Sequence, residues 1–191
     1  MKINVLEMYI LILVIFNLLI WATPFIYQTF ENPLIYSIFS PFCHQITQRS
    51  LCMYENTIGD CYDQTIMYNN LTTKIFVENS QGIGYKLPVC ARDVSFFLFM
   101  LIGGMIIYLY KGKPYSYVPP LWVFILFITP LAIDGITQIL GIRQSNNILR
   151  IITGMLAGFI MPFFLIGLLN KKNESNKKIH VKRKSTKKTK R

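Results

Sequence analysis

Two short motifs in this chain bring together residue types that bind metals or move protons. One is Cys43 with His44; the other is Cys90 with Asp93 three positions later. Zinc accepts thiolate, imidazole and carboxylate in a tetrahedral site. Cys43, His44, Cys90 and Asp93 therefore form a chemically sensible ligand set, although their spacing is not that of a zinc finger. A disulfide between Cys43 and Cys90 would account for the same two thiols with less machinery. Around them stand Gln45, Arg49, Arg92, Gln138, Asn147 and Arg150, a polar set whose guanidinium groups can grip an anionic headgroup bidentately. Asp134 lies in an otherwise uncharged apolar run. It is read as a general base or as a staple between helices, with Arg150 or Arg143 as its natural counter-ion. Cys52 and Cys61 enclose a small loop and are expected to bridge each other.

The elements that must position these residues are membrane helices. The chain has 191 residues, 52% hydrophobic and only 15% charged, against roughly 25% charged for soluble domains. Apolar runs at about 8–30, 94–110, 118–142 and 151–169 are each near the ~20 residues that cross a bilayer. The first carries Glu7 and is followed by no small-residue cleavage site, so it reads as a retained helix and not a signal peptide. The fold class expected is an all-α membrane protein: four transmembrane helices, with a long extracytoplasmic loop, residues 31–89, between the first two. Residues 1–170 form the membrane domain.

Residues 171–191 hold 11 of the 20 Lys and Arg of the chain and read as a disordered basic cytoplasmic tail. That tail places the C-terminus inside and suits anionic lipid better than nucleic acid, which is not expected as a partner. Four spans then place the N-terminus inside as well, in a cell (plasma) membrane. On this topology the segments carrying Cys43, Cys90, Asp134 and Arg150 all deliver polar residues to the outer side. Asp134 and Gln138 share a helix face, as do Asn147, Arg150 and Gly154. The G-x-x-x-G of Gly154 and Gly158, like Gly103-Gly104, marks close helix packing, and Pro162 is expected to kink the last span.

Within the outer loop, Asn32-Pro33 can start a short helix to about Phe39, laying Leu34, Ile35, Ile38 and Phe39 on the membrane surface. Residues 64–68 and 74–77 could pair as a hairpin. Asn70-Leu71-Thr72 is a glycosylation sequon. Gly82-Ile-Gly84 lacks the third glycine of a dinucleotide motif, so no nucleotide site is expected.

The segments Pro41-Phe-Cys-His-Gln45, Arg49-Ser50 and Leu87-Pro-Val-Cys-Ala-Arg92 resemble a family of predicted multi-pass membrane proteins of unknown function, DUF2085, frequent in archaea. The resemblance continues through 130–138 (PLAIDGITQ), Gly141-Ile-Arg143, Ser145-Asn146 and 147–154 (NILRIITG), and covers most of residues 35–160. It implies that these motifs form one site and supplies no activity. In the family the second motif usually reads Cys-Ala-Arg-Cys; here position 93 is Asp, and 52–81 looks like an insertion. An aspartate cannot join a redox disulfide but can replace a cysteine as a metal ligand, so the departure favours metal over redox chemistry.

Several functions stay open on these residues. One is an outward-facing zinc enzyme acting on a lipid-linked substrate, in which Asp134 is the base and the arginines hold the anion. Another is a non-catalytic protein whose loop is fastened by a structural metal or disulfide and which binds a partner the sequence does not name. A thiol oxidoreductase lacks the C-x-x-C it would need, and a channel or transporter would need to be multimeric.

Overall fold

The computed structural model describes residues 5–43, 46–55, 57–61, 73–110, 117–142 and 145–189, the last stretch beyond residue 172 by its helical course alone. Four of its helices are long and apolar enough to cross a membrane. They are α1 (Val5–Phe30), α3 (Ala91–Leu109), α4 (Leu121–Ile139) and the apolar part of α5 (Asn147–Thr189). The composition break at residue 171, expected to open a disordered tail, is not a break in α5, which runs through the basic residues to Thr189. Lysine and arginine are good helix formers, so charge alone does not end a helix.

The segment between α1 and α3 is not a plain loop, which corrects the all-α expectation. It holds a short helix α2 (Leu34–Ser37) and four strands, β1 (Ser50–Met53), β2 (Ile58–Asp60), β3 (Phe76–Asn79) and β4 (Gly82–Cys90). They form one antiparallel sheet in the order β2-β1-β4-β3. β3 pairs with β4 across a tight turn, Asn79 facing Gly82, whose φ of 104° suits glycine. Of the expected hairpin, only the second run is described, and its end, in β3 (Phe76–Asn79), pairs with β4. Residues 64–68, and the sequon at Asn70, lie outside the described residues.

Pro88 sits in β4 without harm. The pairing with β3 ends at Tyr85, and the β1–β4 register shifts between Ser50 and Cys52. A proline is tolerated at such an irregularity, where a ladder donor is not required.

The α2 segment is shorter than expected. Pro33 is its N-cap residue, and Asn32 accepts a hydrogen bond from the Leu34 amide through its side chain. Leu34 and Ile38 are exposed, but Phe39 turns inward. It packs with Ile20, Leu87, Val89 and Val94 in a core that ties α1, β4 and α3 together. The apolar floor of β4 gives Phe39 more to bury against than the helix surface would.

The bundle is held by small residues at one seam. A Cβ on Gly154 would overlap the Arg92 carbonyl oxygen, and one on Gly158 would overlap that of Phe96, so α3 and α5 approach backbone to backbone. Gly103 faces Pro162 on the same seam, where a Cβ would lie 2.6 Å from the Pro162 ring. Gly104 faces α1 instead, under the Tyr9 ring. Close approach is how helices associate where no hydrophobic effect separates protein from solvent. Gly158→Val is therefore expected to destabilise the bundle by about 2 kcal/mol or more. Gly135→Ala, whose added methyl meets nothing closer than 3.7 Å, should leave the thermal midpoint in detergent nearly unchanged. Equal midpoints for the two variants would contradict the seam.

Candidate functional site

At the sheet-bearing end of the bundle, Cys43, Cys90 and Asp93 point their ligand atoms to one spot. The two sulfurs and a carboxylate oxygen all lie within 4.8 Å of one another. Each is placed by a different piece of local structure. β4 passes into α3 without a linker, and Cys90 is the N-cap residue of α3. Its thiol does not cap the helix but lies 2.9 Å from Asp93 Oδ2, one turn on. Cys43 closes the turn after α2, its amide donating to the Phe39 carbonyl at 3.2 Å. The adjacent Phe42 packs edge-on against Phe16 of α1, which also packs against Phe97 of α3.

Cys43 and Cys90 are not joined in a disulfide, whereas Cys52 and Cys61 form a buried one, as expected. The Cys90 thiol is pushed well above its ordinary pKa, chiefly by its hydrogen bond with Cys43, then by burial and by the neighbouring Asp93. His44 and Gln45 lie outside the described residues. The structure thus brings together three of the four expected ligands and says nothing of the fourth.

Beside the cluster is a cavity of about 200 Å³ lined by Phe42, Cys43, Ile46, Arg49, Cys90, Arg92, Asp93, Gln138 and Arg150. Three arginines face it from three elements. Arg49 ends a short 3-10 turn that feeds straight into β1, and its neighbour Ser50 pairs with Cys90 across the sheet. Arg92 is in the first turn of α3. Arg150 is in the first turn of α5, one turn from Gly154, so the seam that admits the Arg92 carbonyl also sets Arg150 beside it. The α5 start is fixed by Asn146, whose side chain accepts from the Leu149 amide at 2.8 Å as an N-cap.

Arg150 is fully buried, and its Nη1 donates to Asn147 Oδ1 at 2.7 Å. Asn147 in turn donates to Asp60 Oδ1 at 2.7 Å and to the Ser50 carbonyl at 3.3 Å. Asp60 is a member of this network that the sequence reading missed. It precedes the disulfide-bonded Cys61, and nothing in its local pattern distinguishes it from a loop acid.

Asp134 is the one buried residue of α4. It pairs with Arg92, which corrects the expected partner: Arg150 turns to Asn147, and Arg143 lies outside the described residues. The reason is the close α3–α5 seam, which leaves Arg92 facing α4 while Arg150 is claimed by the sheet network. Breaking such a buried pair from one side leaves an uncompensated charge and costs about 3–5 kcal/mol. Asp134→Asn is accordingly expected to lower the thermal midpoint strongly, and Arg92→Gln in the same chain should recover part of the loss. Simple additivity of the two substitutions would refute the pair.

Buried side-chain atoms without a hydrogen-bond partner among the described residues include Arg49 Nε, Arg92 Nε, Asp134 Oδ1 and Gln138 Nε2. Each such group costs roughly 1–3 kcal/mol unless something meets it. Three of these four residues line the cavity.

Lys86 was singled out by nothing in the sequence, yet it is fully buried in β4. Its ammonium lies 5.7 Å from the centre of the Tyr36 ring, and Tyr36 donates its hydroxyl to the Lys86 carbonyl at 2.5 Å. Burial pushes the Lys86 pKa down to about 8, against the opposing pull of Cys43. Between pH 8 and its ordinary value near 10.5, the unfolded chain holds a proton here that the folded chain has released, so this group makes stability rise with pH. The thermal midpoint of the wild type relative to Lys86→Met should climb from pH 8 to pH 10, on the order of 5 °C. A flat or falling difference would show that the buried amine keeps its ordinary pKa.

The description "Predicted membrane protein (DUF2085)" matches residues 79–164. An uncharacterized protein of Methanocaldococcus jannaschii is 30% identical over 170 residues, which is 83% of this chain and 90% of the relative. The chain belongs to the DUF2085 family. A second uncharacterized protein, from Methanothermobacter thermautotrophicus, is 38% identical over 77 residues, 39% of this chain and 66% of its own length. No solved structure matches the chain. The family match begins at β3 and takes in β4, α3, α4 and much of α5. It therefore covers Cys90, Arg92, Asp93, Asp134, Gln138 and Arg150, and stops short of Cys43 and Arg49.

Proposed function

We propose that this member of the DUF2085 family is a membrane protein with a zinc centre held by Cys43, Cys90 and Asp93, opening onto a cavity that binds an anionic group. The convergence of two thiols and a carboxylate within 4.8 Å carries the reading. Zinc–sulfur bonds of about 2.3 Å in a tetrahedron set ligand atoms about 3.8 Å apart, so the cluster needs only a small contraction. Three protein ligands leave a fourth position. If His44 fills it, the site is closed and structural. If it faces the cavity, the metal is a Lewis acid beside an anion held by Arg49, Arg92 and Arg150, the arrangement of an enzyme. Asp134, engaged by Arg92, is then a positioning group for that guanidinium and not a free base. The basic segment after the fourth span supports a cytoplasmic C-terminus, and with it an extracytoplasmic zinc centre.

Metal analysis tests the reading. Purified protein should carry close to one zinc per chain, and Cys90→Ser should lose it while keeping its elution profile in detergent. A metal-free wild type whose mass shows Cys43 joined to Cys90 would replace the zinc centre with a disulfide clamp.

A further inference from the structure

A second hollow lies directly behind the first. It is an apolar groove of about 560 Å³ along α4 and the start of α5, lined by Trp122, Ile125, Leu126, Ile133, Asp134 and Leu149 among others. Its volume falls in the ordinary range of ligand sites, roughly 300–1,000 Å³. α4 buries no side chain except Asp134, so its apolar residues are left for something else to cover.

The two hollows share a wall, which is the Arg92–Asp134 ion pair. Arg92 lines the polar cavity and Asp134 lines the groove. Gln138, one helical turn beyond Asp134 on α4, lines the cavity as well. Three guanidinium groups line the cavity, with Asp93 among them and Asp134 behind Arg92. Asp134 is spoken for by Arg92 and Asp93 by the thiol cluster, so the unmet donors at Arg49 Nε, Arg92 Nε and Gln138 Nε2 meet no anion among the described residues. The polar end calls for a compact anion; the apolar end, open along a candidate membrane span, calls for hydrocarbon.

We infer that cavity and groove together bind one ligand, an anionic lipid with a terminal phosphate headgroup, its phosphate among Arg49, Arg92 and Arg150 and its chain along the α4 groove. This deepens the anion-binding part of the function proposed above. Such a ligand lies against the ion pair from both sides, its phosphate beside Arg92 and its chain beside Asp134.

The test uses the full-length protein in a neutral detergent, with three probes: dioleoyl phosphatidic acid, dioleoyl phosphatidylcholine and inorganic phosphate. Binding is read by competition with a fluorescent phosphatidic acid, and zinc content is measured on each sample. Phosphatidic acid should bind at least about tenfold more tightly than phosphatidylcholine, through one more charge-assisted contact, and than inorganic phosphate, which has no chain to bury in the groove. Ile133→Trp, at an exposed position in the groove, should weaken phosphatidic acid about tenfold and leave phosphate unchanged. Arg49→Gln should weaken both. Phosphate matching phosphatidic acid, with Ile133→Trp silent, would mean a soluble anion and sink the lipid. Equal binding of phosphatidylcholine, whose phosphate is masked as a choline diester with no net charge, would sink the requirement for a terminal anionic phosphate. A dimer that Ile133→Trp splits, with no lipid effect, would assign the groove to a second copy instead. Because zinc is assayed separately, loss of zinc with lipid binding intact would overturn the metal centre and leave the lipid site standing.

Discussion

The contact on which the site depends is the one between the α3 backbone and Gly154 of α5. α3 and α5 meet so closely there that no side chain fits between the Arg92 carbonyl and α5. That approach fixes where the two arginines of the site can go. Arg92 must turn outward to α4, where it finds Asp134, and Arg150 must turn toward the sheet, where it finds Asn147. A buried ion pair gains stability only when its geometry is good and its remaining donors are met. Here Arg92 Nε and Asp134 Oδ1 are not met within the described chain. The pair therefore reads as a device for holding two charged groups in place at the proposed ligand site more than as a source of stability.

The sheet does the complementary work. It lies over the end of the bundle and brings Arg49 next to Cys90 through one strand pairing. Its disulfide, between Cys52 on β1 and Cys61 just after β2, stands next to Asp60. Asp60 holds Asn147, and Asn147 holds Arg150, so a cross-link in the sheet reaches the arginine of a membrane helix through two side chains.

Much of the bundle was legible because membrane helices are written in composition. The four spans, the G-x-x-x-G seam and the gathering of Cys43, Cys90, Asp134 and Arg150 at one end all follow from apolar runs and from residue spacing. The sheet was not legible. β1, β2 and β3 have four residues or fewer, too short for alternation to stand out, and the proline in β4 argues against a strand until its partners are known. The choice of Arg92 over Arg150 for Asp134 was also hidden. It depends on which way two helices turn about a glycine contact, and sequence spacing gives faces along a helix but not the rotation of one helix against another.

The aspartate at position 93 draws its meaning from its place on α3. At the start of a helix the unmet backbone amides carry partial positive charge, which favours carboxylates and thiolates there. Cys90 at the N-cap and Asp93 three residues on are both in that field, which at Cys90 is outweighed by Cys43, burial and Asp93. A cysteine at 93, as the family resemblance implies, could hold a metal or close a disulfide with Cys90. An aspartate keeps the first and forbids the second. It also gives the Cys90 thiol a hydrogen-bond acceptor, which together with Cys43 keeps the metal-free thiol protonated at neutral pH. The two sulfurs thus lie near each other with a carboxylate oxygen within the same 4.8 Å, and oxidation across 90 and 93 is unavailable. That is the arrangement the proposed zinc centre requires of its ligands.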